Sequence, residues 1–304
     1  MSQRFHAGEL EVQERAGVRD KAARVGGSIH HELPPAAEVF LAQRRFVVLA
    51  TAGADGRPWA SLLTGSPGFA SVPDPRTIRI DARPLPGDPL SDTLATSTFA
   101  GLLAIDLATR RRMRANGRLR SPPGEPIRIE LDQVYSNCPK YIQRRDVERG
   151  PAPEPARAVG HSGSLIERQR EWIRRADTFF LATVNPEEGA DASHRGGMPG
   201  FVRVEGNRVI WPDYAGNMMY NTLGNIAVHP RAGLLVPDFA SGGVLLLTGQ
   251  ASIDWEPGRV GAFAGAERLV ELEVEEVVEI EGVLGEGARG VEYSPFNPGS
   301  DSTG

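Results

Sequence analysis

Cysteine is nearly absent. The single Cys138 in 304 residues excludes an internal disulfide framework and fits a reducing cytosol. Long apolar runs are missing too: no stretch reaches the roughly eighteen residues that a membrane helix needs. Met1 to Gly27 is polar with acidic residues scattered through it, so neither a signal nor a transit peptide is expected, and the expected setting is cytoplasmic. There is no excess of positive charge. A net charge of −5 gives no bulk attraction to nucleic acid. Neither a Walker loop nor a dinucleotide fingerprint occurs. His30-His31-Glu32 has no third ligand at metal spacing and runs into Pro34-Pro35, so no metal is expected. The stretch Gly160 to Ser164 ends in Ser where a nucleophile elbow requires Gly.

What is present is a globular composition, 40% hydrophobic and 24% charged, with 35 Gly and 24 Pro pointing to a turn-rich, strand-heavy chain. It is also written twice. Leu49 to Phe69 reads LATAGADGRPWASLLTGSPGF, and Leu181 to Phe201 reads LATVNPEEGADASHRGGMPGF. Both ends are 132 apart (181 − 49 and 201 − 69), and Gly101/Gly233, Asp106/Asp238 and Gly117/Gly249 keep the step. So long a period denotes a duplicated domain. The expected organisation is an N-terminal arm over 1–32, weakly ordered, a first copy over 33–148, a Pro/Ala-rich linker over 149–163, and a second copy with a C-terminal tail over 164–304.

Each copy opens with a helix. Prolines start the first, at Pro34-Pro35. In the second, Ser164 and Glu167 form a capping box, and Ile166 and Ile173 recur at helical spacing. Short strands joined by Gly/Asp turns follow, ending in "IRIELDQV" and "VELEVEEV". The fold class expected is mainly β with flanking helices, as two tandem six-stranded barrels, since closure removes exposed edges.

The opening helix into FLAT, then SHRGGMPGF, VIWPDYAGNMMYNTLGNI, HPRAGLLVPDF and YSNCPKYIQRR, resembles the pyridoxamine 5′-phosphate oxidase-like, FMN-binding split-barrel family in tandem form. The likeness covers roughly residues 33 to 285. It implies a flavin in the groove between two barrels, an oxidoreductase acting on a small organic molecule, and FMN as cofactor, with haem or deazaflavin as alternatives known among relatives. A non-catalytic flavin- or haem-binding module is the competing reading. The family usually dimerises, so a homodimer stays open; no nucleic acid or membrane partner is expected.

An FMN site needs cations or N–H donors for the phosphate, close backbone approach and flat apolar walls. By motif position the candidates are Ser193, Arg195, Gly196, Gly197, Trp211, Pro212 and Asp213, with Asn217, Asn221, Thr222 and Asn225 as a polar ladder. Lys140 of the first copy is expected to reach across. Trp211 could equally be core, and Met218 stands where relatives commonly carry Arg or Lys. Subtracting the repeat converts Arg195 to Leu63, Trp211 to Arg79, Asn217 to Leu85 and Asn221 to Pro89, which predicts one site per chain. No residue is singled out as catalytic. Cys138 reads as a buried or incidental thiol, and Thr109 to Arg118 as a solvated hairpin tip, with an anionic substrate or a phosphate as the alternative because alternation puts several arginines on one side.

Overall fold

The structure is a computed structural model that describes residues 4–122, 124–147, 155–284 and 290–299. Three helices come first: α1 (Ala7–Arg15), α2 (Arg19–Val25) and α3 (Pro35–Ala42). The first sheet is built from β1 (Phe46–Ala52), β2 (Pro58–Thr64), β3 (Ala70–Asp74) and β4 (Thr77–Ile80), then, after α4 (Leu90–Thr96), β5 (Phe99–Asp106), β6 (Arg111–Arg120) and β7 (Ile127–Ser136). β8 (Arg157–Ser162) and α5 (Glu167–Arg175) lead into β9 (Thr178–Asn185), β10 (Gly189–Gly196), β11 (Arg203–Glu205) and β12 (Arg208–Asp213). The remaining elements are α6 (Asn221–Val228), β13 (Arg231–Pro237), β14 (Val244–Asp254), α7 (Pro257–Val260) and β15 (Arg268–Glu281).

The two sheets share one connectivity. Their orders are β2-β1-β5-β6-β7-β4-β3 and β10-β9-β13-β14-β15-β12-β11, all antiparallel, with β8 added on β15. Each curls round its own core. Val47 and Leu49 of β1 join Ile78, Leu102, Ala115 and Ile129 in the first; Phe179 and Leu181 of β9 join Trp211, Leu234, Leu247 and Val270 in the second. The two-barrel, mainly β architecture is the one expected, with short β3 and β11 as an additional strand in each copy. Both sheets bulge at the same repeat position, between Asn116 and Gly117 and between Thr248 and Gly249.

β1 and β9 are buried on both faces, so their sequences lack polar alternation. The outward residues Phe46, Val48 and Ala50 of β1 meet Phe180 and Ala182 of β9 in a third apolar cluster that welds the barrels together. Backbone approaches backbone at two symmetrical points. A Cβ on Gly101 would lie 2.7 Å from the Ala190 carbonyl oxygen, and one on Gly233 would lie 2.3 Å from the Pro58 carbonyl oxygen. Ala190 and Pro58 are themselves 132 apart (190 − 58). Only residues without side chains fit there.

Four sequence expectations change. The N-terminal arm is folded: α1 buries Glu9, Val12 and Gln13, and crosses α6 where Gly8 faces the Gly224 carbonyl. Phe5 packs with Tyr135 of the first barrel and Met219 of the second, so the arm bridges both. Polar helices of this kind hide their burial, because the buried atoms are hydrogen-bonded instead of apolar. Within the expected linker, residues 149–154 lie outside the described residues, but Arg157–Ser162 is strand β8. The α5 cap is not Ser164 with Glu167; Gln169 reaches back to the Ile166 N–H at 3.2 Å, and Ile166 itself is exposed. Lastly, part of the tail is docked: Glu292 exchanges backbone hydrogen bonds with Arg144, while Gln143 and Asn297 pair through their side-chain amides.

Gly233→Ala is expected to destabilise the chain by about 2 kcal/mol or more, since the added methyl overpacks against backbone. Urea unfolding checks this; an unchanged midpoint would refute the close approach.

Candidate functional site

A cleft with about 900 Å³ of open space lies between the barrels, and the local alternation of β6 builds one wall of it. Met113 and Ala115 point into the first core, so Arg112, Arg114 and Asn116 face the second barrel. Arg114 donates to both Asp191 oxygens at 3.0–3.1 Å, and Asn116 reaches the same carboxylate at 3.4 Å. Arg112 donates to His194 Nδ1 at 2.9 Å. On β10, Arg195 donates to the His194 carbonyl and to Ser193 Oγ, with Asp213 3.6 Å away. Asp213 also faces Arg268 at 3.4 Å.

The charges do not balance. Asp191 serves Arg114 and Asp213 serves Arg195 and Arg268, whereas Arg112 has no carboxylate partner among the described residues. Burial pushes the Arg112 guanidinium down to about 9, and neighbouring Arg114 and Arg195 push the same way. Arg195 is also lowered by burial, against the pull of Asp213. Burial opposes the charge of Arg114 too, but Asp191 and Tyr135 more than offset it. His194 is held well below the usual imidazole value by burial and then by Arg112 and Arg195, so it is neutral near pH 7. Because arginine only donates, His194 Nδ1 accepts and its proton sits on Nε2, a buried atom with no partner among the described residues. The Nε atoms of Arg112, Arg114 and Arg195 are likewise buried and unpaired.

The opposite wall is the segment Tyr214 to Tyr220, faced by Asn137 to Tyr141 of the first copy. Four described non-glycine residues have left-handed backbone, and three of them, Tyr141, Met218 and Tyr220, line this cleft. Such backbone costs free energy and clusters at working sites. Tyr141 is fixed by a 3.2 Å bond from its hydroxyl to the Ala215 carbonyl and by its ring 5.0 Å from that of Tyr214.

Of the residues expected at the site, Lys140, Arg195, Gly196, Pro212, Asp213, Asn217, Asn221 and Thr222 line the cleft. Ser193, Gly197, Trp211 and Asn225 do not. Trp211 is fully buried core, edge-on to Phe179 at 5.4 Å. Ser193 is buried against Thr222. The space at Gly197 is taken by Phe201, and that at Gly196 by the Tyr141 carbonyl, so both glycines serve packing within the protein. Asn225 bonds Thr183 and His6 on the far side of α6. Even Asn221 and Thr222 spend polar atoms on Glu9, Tyr135 and Asp191. The ladder was periodic, but α1 covers that face. Sequence reasoning left out His194, Tyr141 and Tyr214, and read Arg112 and Arg114 as part of a solvated hairpin tip with an anion as the alternative; β6 is instead mostly buried, because its arginine face meets the second barrel and not water. Cys138 is exposed at the rim.

The described residues contain no group of side chains that could hold a metal ion, and no helix long and apolar enough to cross a membrane. No curated protein sequence matches the chain. Among solved structures, HupZ of Group A Streptococcus aligns at 14% identity and TM-score 0.30, covering 36% of this chain and 90% of its own. A Lactobacillus delbrueckii protein provisionally assigned as a pyridoxamine 5′-phosphate oxidase aligns at 17% identity and 0.31, covering 40% and 97%. A FAD-binding protein of Mesorhizobium loti gives 10% and 0.28, covering 41% and 97%. Residues 165–281 match the pyridoxamine 5′-phosphate oxidase family. Those residues run from the approach to α5 to the end of β15, so the likeness to the pyridoxamine 5′-phosphate oxidase family lies in the second barrel.

Proposed function

We propose that this cleft binds a phosphorylated flavin, FMN, once per chain, and that the protein is an oxidoreductase acting on a small organic molecule. The observation that carries the reading is the surplus cation: Arg112 is half-buried beside Arg114 and Arg195, with its Nε enclosed and without a carboxylate of its own among the described residues. A guanidinium in that state calls for an anion, and a phosphate matches its donors. The residues fit the cofactor in other respects as well. Tyr141, Tyr214, Phe201 and Pro212 supply flat apolar walls. The likeness of the second barrel to the pyridoxamine 5′-phosphate oxidase family supports a flavin over other phosphorylated ligands.

Arg195 and Arg112 hold the phosphate, with Lys140 adding charge at the rim. Tyr141 and Tyr214 exclude water from the ring. When bound, the flavin supplies hydride or single-electron transfer. Neutral His194 keeps Arg112 in place by accepting its hydrogen bond and adds no charge to compete with the phosphate.

The counterpart groove explains the single site. Arg112, Arg114 and Asn217 correspond by the 132-residue step to Val244, Leu246 and Leu85 (112 + 132, 114 + 132 and 217 − 132), and these three sit in the apolar cluster between the barrels. At these three positions that groove is filled by apolar side chains.

The absorption spectrum of the purified chain, before and after incubation with FMN, tests the reading. A flavin band bleached by a nicotinamide donor is expected. A Soret band points instead to haem, and a colourless chain that refuses FMN favours a non-catalytic module; either contradicts the proposal. Arg195→Ala and Arg112→Ala are each expected to lose about 2 kcal/mol of FMN affinity, roughly thirtyfold, by fluorescence titration. Unchanged affinity in both would refute the phosphate assignment.

A further inference from the structure

Behind the cleft a buried polar chain runs from the N-terminal helix to the wall that carries Arg114. Glu9 Oε1 lies 2.6 Å from Asn221 Nδ2, and Asn221 Oδ1 lies 3.1 Å from the Tyr135 hydroxyl. That hydroxyl is also 3.2 Å from Asp191 Oδ1, the carboxylate paired with Arg114. Tyr135 has one hydrogen and faces two oxygens, so these contacts cannot all be made as the amide is drawn. Side-chain amide orientation is fixed by such networks and not by atom positions.

Turning the Asn221 amide lets every one of these contacts be made. Its NH2 then donates to Tyr135, Tyr135 donates to Asp191, and Asn221 Oδ1 faces Glu9 Oε1. Two bare oxygens do not sit 2.6 Å apart, so Glu9 must supply the hydrogen. The distance agrees: it is short for N–H···O and ordinary for O–H···O. With Glu9 ionised, the amide reverses, Tyr135 turns to Asn221, and Asp191 loses a donor.

We propose that Glu9 carries a proton while α1 is docked, and that Asn221 and Tyr135 relay its state to the Asp191–Arg114 pair, making Glu9 a positioning residue for the cleft wall. On deprotonation the proton passes to water through a second cavity, of about 520 Å³, which Glu9, His6 and Asn221 line. The charged groups around Glu9 act together. Asp191 on β10 and Glu188 in the turn before it oppose a carboxylate here. On its own helix, the His6 ring lies 3.7 Å away and is lowered by burial, so it offers no lasting positive charge, while the His6 N–H donates to Glu9 Oε2 at 2.8 Å. Arg114 is committed to Asp191, and Arg4 and Asp132 stand on the far walls of the cavity. Burial, chiefly, raises the Glu9 carboxyl to about 8.

The sign follows. A carboxyl raised from the usual 4.5 to about 8 binds its proton more tightly when α1 is docked, so docking is favoured most at low pH. That preference fades as pH climbs through this window and is gone above it. Protection factors of the α1 amides by hydrogen exchange are expected to fall about tenfold per pH unit between roughly 4.5 and 8, then level off. Glu9→Gln, whose NH2 replaces the carboxyl hydrogen, is expected to keep α1 docked with no such slope. Infrared pH-difference spectra of the wild type should show a protonated carboxyl absent from Glu9→Gln. Equal slopes in both proteins, or no such band at pH 6.5 (roughly half-way through the window), would overturn the proposal whatever ligand the cleft takes.

Discussion

Everything in this chain rests on two sheets meeting backbone to backbone. β1, β2, β9 and β13 must be apolar on both faces, because one face fills a barrel and the other fills the seam. The seam tolerates no side chain where Gly101 meets β10 or where Gly233 meets β2. Burying both faces removes the water that would otherwise screen whatever charges the seam encloses. Charges placed there therefore interact strongly and are costly if left unpaired.

The repeat makes the seam pseudo-symmetric, and the sequence breaks that symmetry. One groove has become core, closed by Leu85, Val244 and Leu246. The other keeps Arg112, Arg114 and Arg195 in surroundings dry enough to depress two of them. Removing one partner of a buried pair such as Arg114 and Asp191 typically costs about 3–5 kcal/mol. The chain keeps that pair intact through Tyr135, Asn116 and Thr222 and leaves only Arg112 over. Strain sits beside it, in Tyr141, Met218 and Tyr220. Uncompensated charge and left-handed backbone converge on the same cleft, which is what distinguishes this groove from its filled twin.

The fold was legible because it is written as repetition. The 132-residue step predicted two similar sheets, and Gly117/Gly249 proved to mark the same bulge in each. Less could be read where burial is achieved by polar atoms. Glu9, Gln13 and His6 look like solvent-facing helix residues, yet Glu9 and Gln13 are almost fully buried, Glu9 against Asn221 and the Gln13 NH2 against the Met219 carbonyl. The same blindness affected β6. Alternating arginines show that one face is polar, but alternation cannot tell whether that face meets water or a second barrel. Of the candidates taken from the motif, Arg195, Asp213 and Asn217 line the cleft; Trp211 and Asn225 share their motif but were drawn into core and helix contacts.

The central claim is that only one of the two pseudo-equivalent grooves can accept a phosphorylated ring. Saturating the chain with FMN, removing free flavin and measuring what denaturation releases tests it most directly. One flavin per chain is the result expected; two per chain, or one retained undiminished when Arg112 and Arg195 are both replaced, would contradict it.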